Sequence, residues 1–516
     1  METDLEDPAL KAELESIEGN EEEIKDRFAV SLKFGTAGLR GVLGAGSNRM
    51  NIYVVRQATQ GLSEYIKKTG DTKKGVVIAY DSRKVNEESV FICISGAVVD
   101  GHTFVEDVIN KGAKAIIIEK DIDIDKLVDI NKDVVIIKVE STRLALAYMS
   151  AEYFGNPANK LITIGITGTK GKTTTTYMVR NMLEKAGHKT GLIGTIETII
   201  GEKVIPSVNT TPESYVVQEY FAKMVEEGCT CVVMEVSSQG LMLNRVAGFE
   251  FDYGVFSNLE PDHIGPNEHK DFEDYMRCKG LLFKMCKTGI INIDSKHAKD
   301  VIKGHTCDIE TFGMSDEAML KASNIELIHK PGYMGVTYDV SGLMNCRIEA
   351  GVPGKFSVYN SLMAIAICRH FNISEEVIVD TLKDIKVKGR VEVVPTPGKN
   401  YSLIIDYAHN HMSLQSLLTT IREYNPKRIV TVFGAGGNRD RQRRFDMGEV
   451  SGQMSDLSII TSDNPRKEEP EAIIEDILVG MNKTDGKYVT IVNRKEAEIL
   501  KTKLEKIYGI EIQKEV

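Results

Sequence analysis

The chain has 516 residues, 42% of them hydrophobic, and its 64 Lys plus Arg against 75 Asp plus Glu leave a net charge of −11 at pH 7. At ~100–200 residues per domain this length predicts three or four cores, and the acidic balance excludes a general nucleic-acid coat. No stretch nears the ~18 consecutive apolar residues of a membrane span, and the opening from Met1 to Glu23 is acidic where a secretory leader is basic and then apolar, so a cytosolic protein is expected.

Residues 1 to 74 hold an acidic helical lead, the glycine-rich stretch Phe34-Gly-Thr-Ala-Gly-Leu-Arg-Gly41 and a helix-like run from Val54 to Lys68. From about residue 75 short β-branched runs alternate with helical patterns, which predicts parallel sheets with crossover helices. The runs are Leu161–Gly165, Thr230–Val236, Tyr253–Ser257, Gly289–Ile293, Leu403–Tyr407, Arg428–Phe433, Leu457–Ser462 and Tyr488–Val492. They group into three units, about 75–155, 156–389 and 390 to the end. No internal repeat or low-complexity segment interrupts them. The eight Cys, at 93, 229, 231, 278, 286, 307, 346 and 368, are scattered through apolar segments without zinc spacing, the pattern of reduced, buried thiols. Zero Trp and 7% aromatics weigh against an aromatic sugar cleft or a base-stacking platform.

The strongest local signal is Ile164-Gly-Ile-Thr-Gly-Thr-Lys-Gly-Lys-Thr-Thr174, which follows an apolar strand and opens a helix near Lys172. In such a loop Gly168 and Gly171 let backbone N–H groups curl around phosphate oxygens and the helix N-terminus adds its dipole. Lys172 reaches the terminal phosphates, and Thr173 offers a hydroxyl to Mg²⁺. Counted from Gly168 the loop is one residue shorter than G-x-x-x-x-G-K-[ST]; counted from Gly165 it has the full spacing to Gly171. Glu235 ends the apolar run that starts at Cys231, at a strand tip facing the ligand crevice of an α/β sheet, where a carboxylate is costly unless it meets a cation.

Further segments follow along the chain: Asp81-Ser-Arg83, Asn209-Thr-Thr-Pro212, Glu235-Val-Ser-Ser238, Asn258-Leu-Glu-Pro-Asp-His263, Lys279, Asn360, Gly389-Arg-Val-Glu392, Asp406-Tyr-Ala-His409, Gly436-Gly-Asn-Arg439 and Asp463-Asn-Pro-Arg466. With the glycine loop this ordered series resembles the Mur ligases, the ATP-dependent amino-acid-adding enzymes of bacterial cell-wall precursor synthesis. It is most similar to the branch that adds the third residue of the peptide. The resemblance implies a three-domain α/β architecture: a UDP-substrate-binding domain over 81–155, a central P-loop domain over 156–389 and a Rossmann-like, amino-acid-binding domain over 390–516 with an atypical end. It also implies the chemistry, in which ATP phosphorylates a peptide carboxylate and an amine displaces phosphate from the acyl phosphate.

Residue by residue, the resemblance implies that Gly168, Thr169, Lys170, Gly171, Lys172, Thr173 and Thr174 cradle ATP, with Asn360 at the adenine and Arg390, Asp406 and His409 near the ribose and phosphates. Thr173, Glu235 and His263 match the family's Mg²⁺ ligands. Lys279 matches a lysine that carries CO₂ as a carbamate toward a second Mg²⁺, so that Lys172, Lys279 and His263 carry the chemistry. Ser82, Asn209, Thr210, Thr211, Ser237 and Arg245 match positions holding UDP-N-acetylmuramoyl-L-alanyl-D-glutamate. Asp463, Asn464 and Arg466 match the motif that marks selection of meso-diaminopimelate, with Arg439 assisting, because a guanidinium can fork onto a distal carboxylate that lysine lacks. Three departures stand beside this. Ser357 takes the place of a frequent Asn, and Asn410-His411 that of a common Thr-Pro. The Gly-Lys-Gly-His-Glu segment completing the amino-acid pocket is replaced by the end from Leu504 to Val516, which leaves lysine or another diamino acid open. A monomer is expected, without nucleic-acid or membrane partners.

The opening differs. Leu32 to Met50 and Tyr53 to Gly61 resemble the start of a phosphoglucomutase or phosphomannomutase, which makes residues 1–80 a partial phosphohexomutase-like segment. No phosphoserine loop of the Thr-Ala-Ser-His-Asn-Pro type follows, so mutase activity is not expected. Both families use Tyr80-Asp-Ser-Arg83, a strand at which one opening can replace the other. The expected activity is third-residue ligation; a related ATP-dependent amino-acid ligase and a nucleotide-binding pseudoenzyme are the alternatives.

Overall fold

The computed structural model describes residues 13–14, 16–17, 20–28, 34–35, 38–39, 77–79, 83, 85, 89–96, 99–123, 127, 130–262, 264–265, 268–330, 333–396 and 401–498. Most of the mutase-like segment, Ser82, His263 and the end from residue 499 therefore lie outside the described residues. Of the opening, a helix over Glu21–Phe28 and an antiparallel pairing of Phe34–Gly35 with Gly38–Leu39 are described. The chain divides into two compact units, residues up to 176 with 187–310, and residues 177–186 with 311 onward.

The first unit begins with β1 (Val77–Ala79), β2 (Ser89–Ile92), β3 (Ala115–Ile118) and β4 (Val135–Lys138), parallel and adjacent in chain order. Strand side chains alternate between faces, so both faces of this sheet are covered. Phe91, Ile116 and Ile136 pack with Val105 and Val108 of α1 (Val105–Asn110) on one side. Val90, Ile92 and Ile117 pack with Leu146 and Met149 of α2 (Thr142–Tyr153) on the other.

Next come β5 (Ile162–Thr167), β6 (Thr190–Ile193), β7 (Glu197–Ile200), β8 (Lys203–Pro206), β9 (Cys231–Glu235), β10 (Phe251–Phe256) and β11 (Cys286–Asn292), neighbours in the order β8-β7-β6-β9-β5-β10-β11. The strands read from the sequence, β5, β9, β10 and β11, lie within a few residues of these bounds and are parallel as expected, and β6, which is not among the runs read, joins them in parallel. β7 and β8 instead fold back antiparallel. Their connections are too short for a crossover, and Gly201, at φ +57°, makes the tight turn. Helices α3 (Lys172–Lys185), α4 (Ser214–Glu226), α5 (Ser238–Met242) and α6 (Phe272–Gly280) complete this part. Its core includes Phe221, Phe251, Phe256 and Phe283, each fully buried and contributing ~1.5–3 kcal/mol.

The second unit opens with an antiparallel set, β12 (Leu320–Lys330), β13 (Tyr333–Gly342) and β14 (Cys346–Ala350), which the parallel expectation did not foresee. Then follow α7 (Phe356–Cys368), α8 (Glu375–Asp384) and the antiparallel pair β15 (Glu392–Val394) and β16 (Leu403–Ile405). Past α9 (His411–Arg422) a parallel sheet forms from β17 (Val430–Phe433), β18 (Leu457–Ile460) and β19 (Tyr488–Thr490), with α10 (Arg441–Met454) and α11 (Pro470–Met481) between them in sequence. Its faces are buried by Phe433, Ile460 and Ile477 on one side and by Leu457, Ile459 and Ile491 on the other. All eight cysteines are free thiols, six of them buried. No helix among the described residues is long and apolar enough to cross a membrane.

Candidate active site

The glycine loop stands where the sequence places it, between β5 and α3. Gly168 and Gly171 have φ +142° and +90°, and a Cβ on Gly168 would lie 1.9 Å from Ser257 Oγ, so only glycine fits. The residues after β10 brace the loop: Thr169 N–H donates to Asn258 O at 2.9 Å, Lys170 N–H to Asn258 Oδ1 at 2.9 Å, and Ser257 Oγ–H to Lys170 O at 2.7 Å. Lys172 folds over the loop, its Nζ donating to the carbonyls of Gly168 at 2.7 Å and Thr169 at 3.0 Å. Thr173 and Thr174 are buried in the first turn of α3, whose amino end gathers N–H groups and positive dipole.

Glu235, at the tip of β9, is 1% exposed. Its Oε2 accepts from Thr173 Oγ1 at 3.1 Å and Thr195 Oγ1 at 3.0 Å, and its Oε1 from Thr195 N at 2.8 Å. All these donors are neutral, and among the described residues no cation pairs with this carboxylate. A buried acid so placed is set to meet a cation. Thr195 was not legible in the sequence: it sits in the β6–β7 turn, which carries no motif.

Lys279 occupies the loop's other flank, 1% exposed, with Nζ donating to Gly168 O at 2.9 Å and lying 4.5 Å from the Tyr275 ring centroid. Burial, helped by the neighbouring Lys172 ammonium, holds its pKa well below the ordinary lysine value. Tyr275, one turn earlier on α6, places its hydroxyl 3.0 Å from Thr169 Oγ1. His269 is fully buried, its ring nitrogens 2.8 Å from Ser238 Oγ and 3.1 Å from Asp274 Oδ2, which joins the starts of α5 and α6.

Of the substrate-matching residues, Thr210 Oγ1 meets Thr195 Oγ1 at 3.1 Å, while Asn209 is exposed. Thr211 is buried; its hydroxyl donates to Glu235 O at 2.9 Å and accepts from Ser237 N at 2.9 Å. Ser237 caps α5 by accepting from Gly240 N at 3.0 Å. Arg245 donates to Thr211 O at 3.1 Å and pairs with Glu213 at 2.7 Å, which also meets Arg143 at 3.0 Å. The structure thus gathers Thr173, Glu235, Thr211, Ser237 and Arg245 along one chain of contacts through Thr195 and Glu235, and brings Lys279 to the glycine loop.

In the second unit Asn360 is buried on α7, and Ser357 satisfies its hydroxyl on Pro353 O at 2.8 Å. Asp406 accepts the N–H groups of Val391 and Ala408, both at 2.8 Å, while burial pushes its pKa above the usual carboxylate range. The Arg390 guanidinium lies 5.5 Å from the Tyr407 ring centroid, and His409 is exposed. Two turns meet at the carboxyl ends of β17 and β18: Gly437 N–H donates to Asn464 O at 2.8 Å, so Gly436–Arg439 and Asp463–Arg466 lie together. Asp463 is 3.5 Å from Arg494, and Arg439 and Arg466 are exposed, without an ion pair among the described residues.

Comparison with known proteins follows this geometry closely. The Mur ligase middle domain matches residues 166–368, the Mur ligase glutamate ligase domain 389–505 and the Mur ligase family catalytic domain 76–154. Domain I of phosphoglucomutase/phosphomannomutase matches residues 31–106. The UDP-N-acetylmuramoyl-L-alanyl-D-glutamate–2,6-diaminopimelate ligase of Clostridium perfringens is 42% identical over 451 residues, 86% of this chain and 90% of that protein. Enzyme 1 of that name from Clostridium acetobutylicum is 44% identical over 422 residues, 81% and 84% of the two chains. A solved structure with the same enzyme name superposes with a TM-score of 0.62 at 26% identity, covering 83% of this chain and 86% of that one. MurF ligase of Thermotoga maritima in complex with ADP shares the fold, with a TM-score of 0.51 at 20% identity over 83% of this chain and 98% of that one.

Proposed function

The chain belongs to the Mur ligase family, and from that membership we propose that it is an ATP-dependent, ADP-forming ligase joining meso-diaminopimelate to UDP-N-acetylmuramoyl-L-alanyl-D-glutamate, a cytoplasmic step of peptidoglycan precursor synthesis. In this reading residues 81–155 take the UDP end, 156–389 the ATP and 390–516 the incoming amino acid, with 1–80 a phosphohexomutase-like leader. The observation that carries the reading is the buried Glu235 carboxylate, held by neutral donors against Thr173 at the amino end of the phosphate-loop helix.

A peptide carboxylate is a poor electrophile and repels a triphosphate, so the site must neutralise charge before it can pass phosphate to carbon-bound oxygen. The loop N–H groups and Lys172 grip the phosphates, and Arg245 takes a substrate carboxylate. Magnesium fits the donors present, since hard cations take oxygen ligands and Glu235 offers a buried carboxylate next to a hydroxyl. Thr173, Glu235 and His263 would hold one ion, with Lys279 serving as a carbamate toward a second. When bound, Mg²⁺ supplies charge neutralisation on the phosphoryl oxygens. The depressed pKa of Lys279 favours the neutral amine, which adds CO₂ by forming an N–C bond and releasing a proton, turning a neutral nitrogen base into an anionic oxygen donor. Asp463, Asn464, Arg466 and Arg439 then meet the amino acid, and the amine displaces phosphate.

Phosphate release from ATP, measured with the UDP-muramoyl dipeptide and a panel of amino acids, tests this. Release with meso-diaminopimelate and none with lysine or glutamate is expected. Release with lysine alone would reassign the amino acid, and ATP binding without release under any condition would sink the ligase reading in favour of a nucleotide-binding protein.

A further inference from the structure

The two turns carrying Arg439 and Arg466 are tied together by an ionic network in which Arg444 and Asp476 are buried and Glu468 is one third exposed. Arg444 of α10, 1% exposed, forks onto Glu468: Nη1 donates to Oε2 at 2.9 Å and Nη2 to Oε1 at 2.8 Å. Nη1 also donates to Asp476 of α11 at 2.9 Å, and Nη2 to Gly436 O at 3.3 Å. Glu468 in turn accepts the Asn438 N–H, and Lys467 N–H donates to Asn438 Oδ1 at 3.3 Å. The interlock leaves no slack, because a Cβ on Gly437 would lie 1.9 Å from Pro465 O.

Arg466 sits in the left-handed region at φ +53°, which such a side chain keeps only where the surroundings fix it, while Asn438 at φ +52° takes that region readily. Arg439 and Arg466 are exposed, without an ion pair among the described residues, so the backbone of the two turns sets where each side chain starts. A guanidinium that must fork onto a carboxylate needs its position held to within ~0.5 Å. Arg444 bonded to Asp476 would suffice to join α10 to α11, yet its other arm runs to Glu468, two residues past Arg466, and Glu468 reaches the residue before Arg439.

We propose that Glu468, acting through Arg444 and the Asn438 backbone, is a positioning residue for amino-acid selection. The proposal rests on the reading that Arg466 and Arg439 meet the incoming amino acid. The test is Glu468→Gln, which keeps the shape and removes the charge, alone and combined with Arg466→Ala in the full chain. Misplacing a bidentate group raises KM for diaminopimelate ~10-fold or more, with KM for ATP within about twofold. In the Arg466→Ala background Glu468→Gln adds a smaller factor than it does in the parent, because one of the two guanidiniums it aims is gone. Equal rises for ATP and diaminopimelate, or effects of the two substitutions that multiply, would overturn the proposal. Should Glu468→Gln fold poorly, Glu468→Asp, with a shorter arm, carries the same comparison. If Arg466→Ala alone leaves KM for diaminopimelate unchanged, the underlying reading fails instead, which the single variant reports separately.

Discussion

Around the glycine loop the chemical groups are sunk in the protein, whereas at the paired turns of the second unit the groups assigned to the amino acid stand in solvent. Glu235 and Lys279 are each 1% exposed; Glu235 accepts from a backbone N–H and two hydroxyls, and Lys279 donates to a backbone carbonyl. Arg439 and Arg466 are exposed, and what lies buried is Arg444 with Asp476, which joins them through the partly exposed Glu468. Under the proposed function the difference follows from the work each region would do. Charge handling in phosphoryl transfer gains from low dielectric, because every electrostatic interaction is stronger there. Reading a soluble amino acid requires open access, so rigidity is invested one layer below the reading groups.

If that contrast holds, the largest losses come from the buried set. Lys279→Ala should lower kcat by ~10³-fold or more, and bicarbonate should not restore it, since no amine remains to accept CO₂. Turnover close to the parent would refute the carbamate assignment. Glu235→Gln should cost ~10²-fold, partly recoverable with more Mg²⁺, because an amide keeps the hydrogen bonds and loses the charge. A rate insensitive to Mg²⁺ in that variant would place the metal elsewhere.

The exposed set should show a narrower effect. Arg466→Ala should raise KM for diaminopimelate by ~10–100-fold, as loss of a charge-assisted fork costs ~1.5–3 kcal/mol, with KM for ATP unchanged. Stability should move by no more than ~0.5 kcal/mol, since the side chain is exposed. Equal rises in both constants would show that this Arg does not read the amino acid.

Sequence alone exposes the buried set unevenly. The loop is legible because strand, glycines, Lys172 and Thr173 form a motif whose spacing the backbone requires. Glu235 is legible because it ends an apolar run. Lys279 carries no such mark: by its own neighbours it reads as a solvated helix lysine, and only α6 folding against the loop sinks it. Thr195 and Arg444 stay hidden because their partners, Glu235 and Glu468, lie far along the chain. The antiparallel pairing of β12 to β14 is hidden for a related reason, since a β-branched run does not state which neighbour it pairs with or in which direction.

The smallest expected effect concerns a departure in the second region. Asn410 stands where the family commonly has Thr, and its role is local. Asn410 caps α9, its Oδ1 accepting from Ser413 N at 2.9 Å while Ser413 Oγ accepts from Asn410 N at 3.3 Å, a reciprocal capping box. Thr has a hydroxyl that can do the same, so Asn410→Thr should leave stability within a few tenths of a kcal/mol. Asn410→Ala strips the cap and should cost ~1 kcal/mol, a fall of ~2–4 °C in the melting midpoint of the transition that involves α9. KM for ATP should rise less than about twofold, because the cap holds the start of α9 while Asp406 fixes the preceding segment through the N–H groups of Val391 and Ala408. A large rise in that KM with an unchanged midpoint would mean that Asn410 touches the nucleotide, and the departure from Thr would then bear on binding rather than on the helix end.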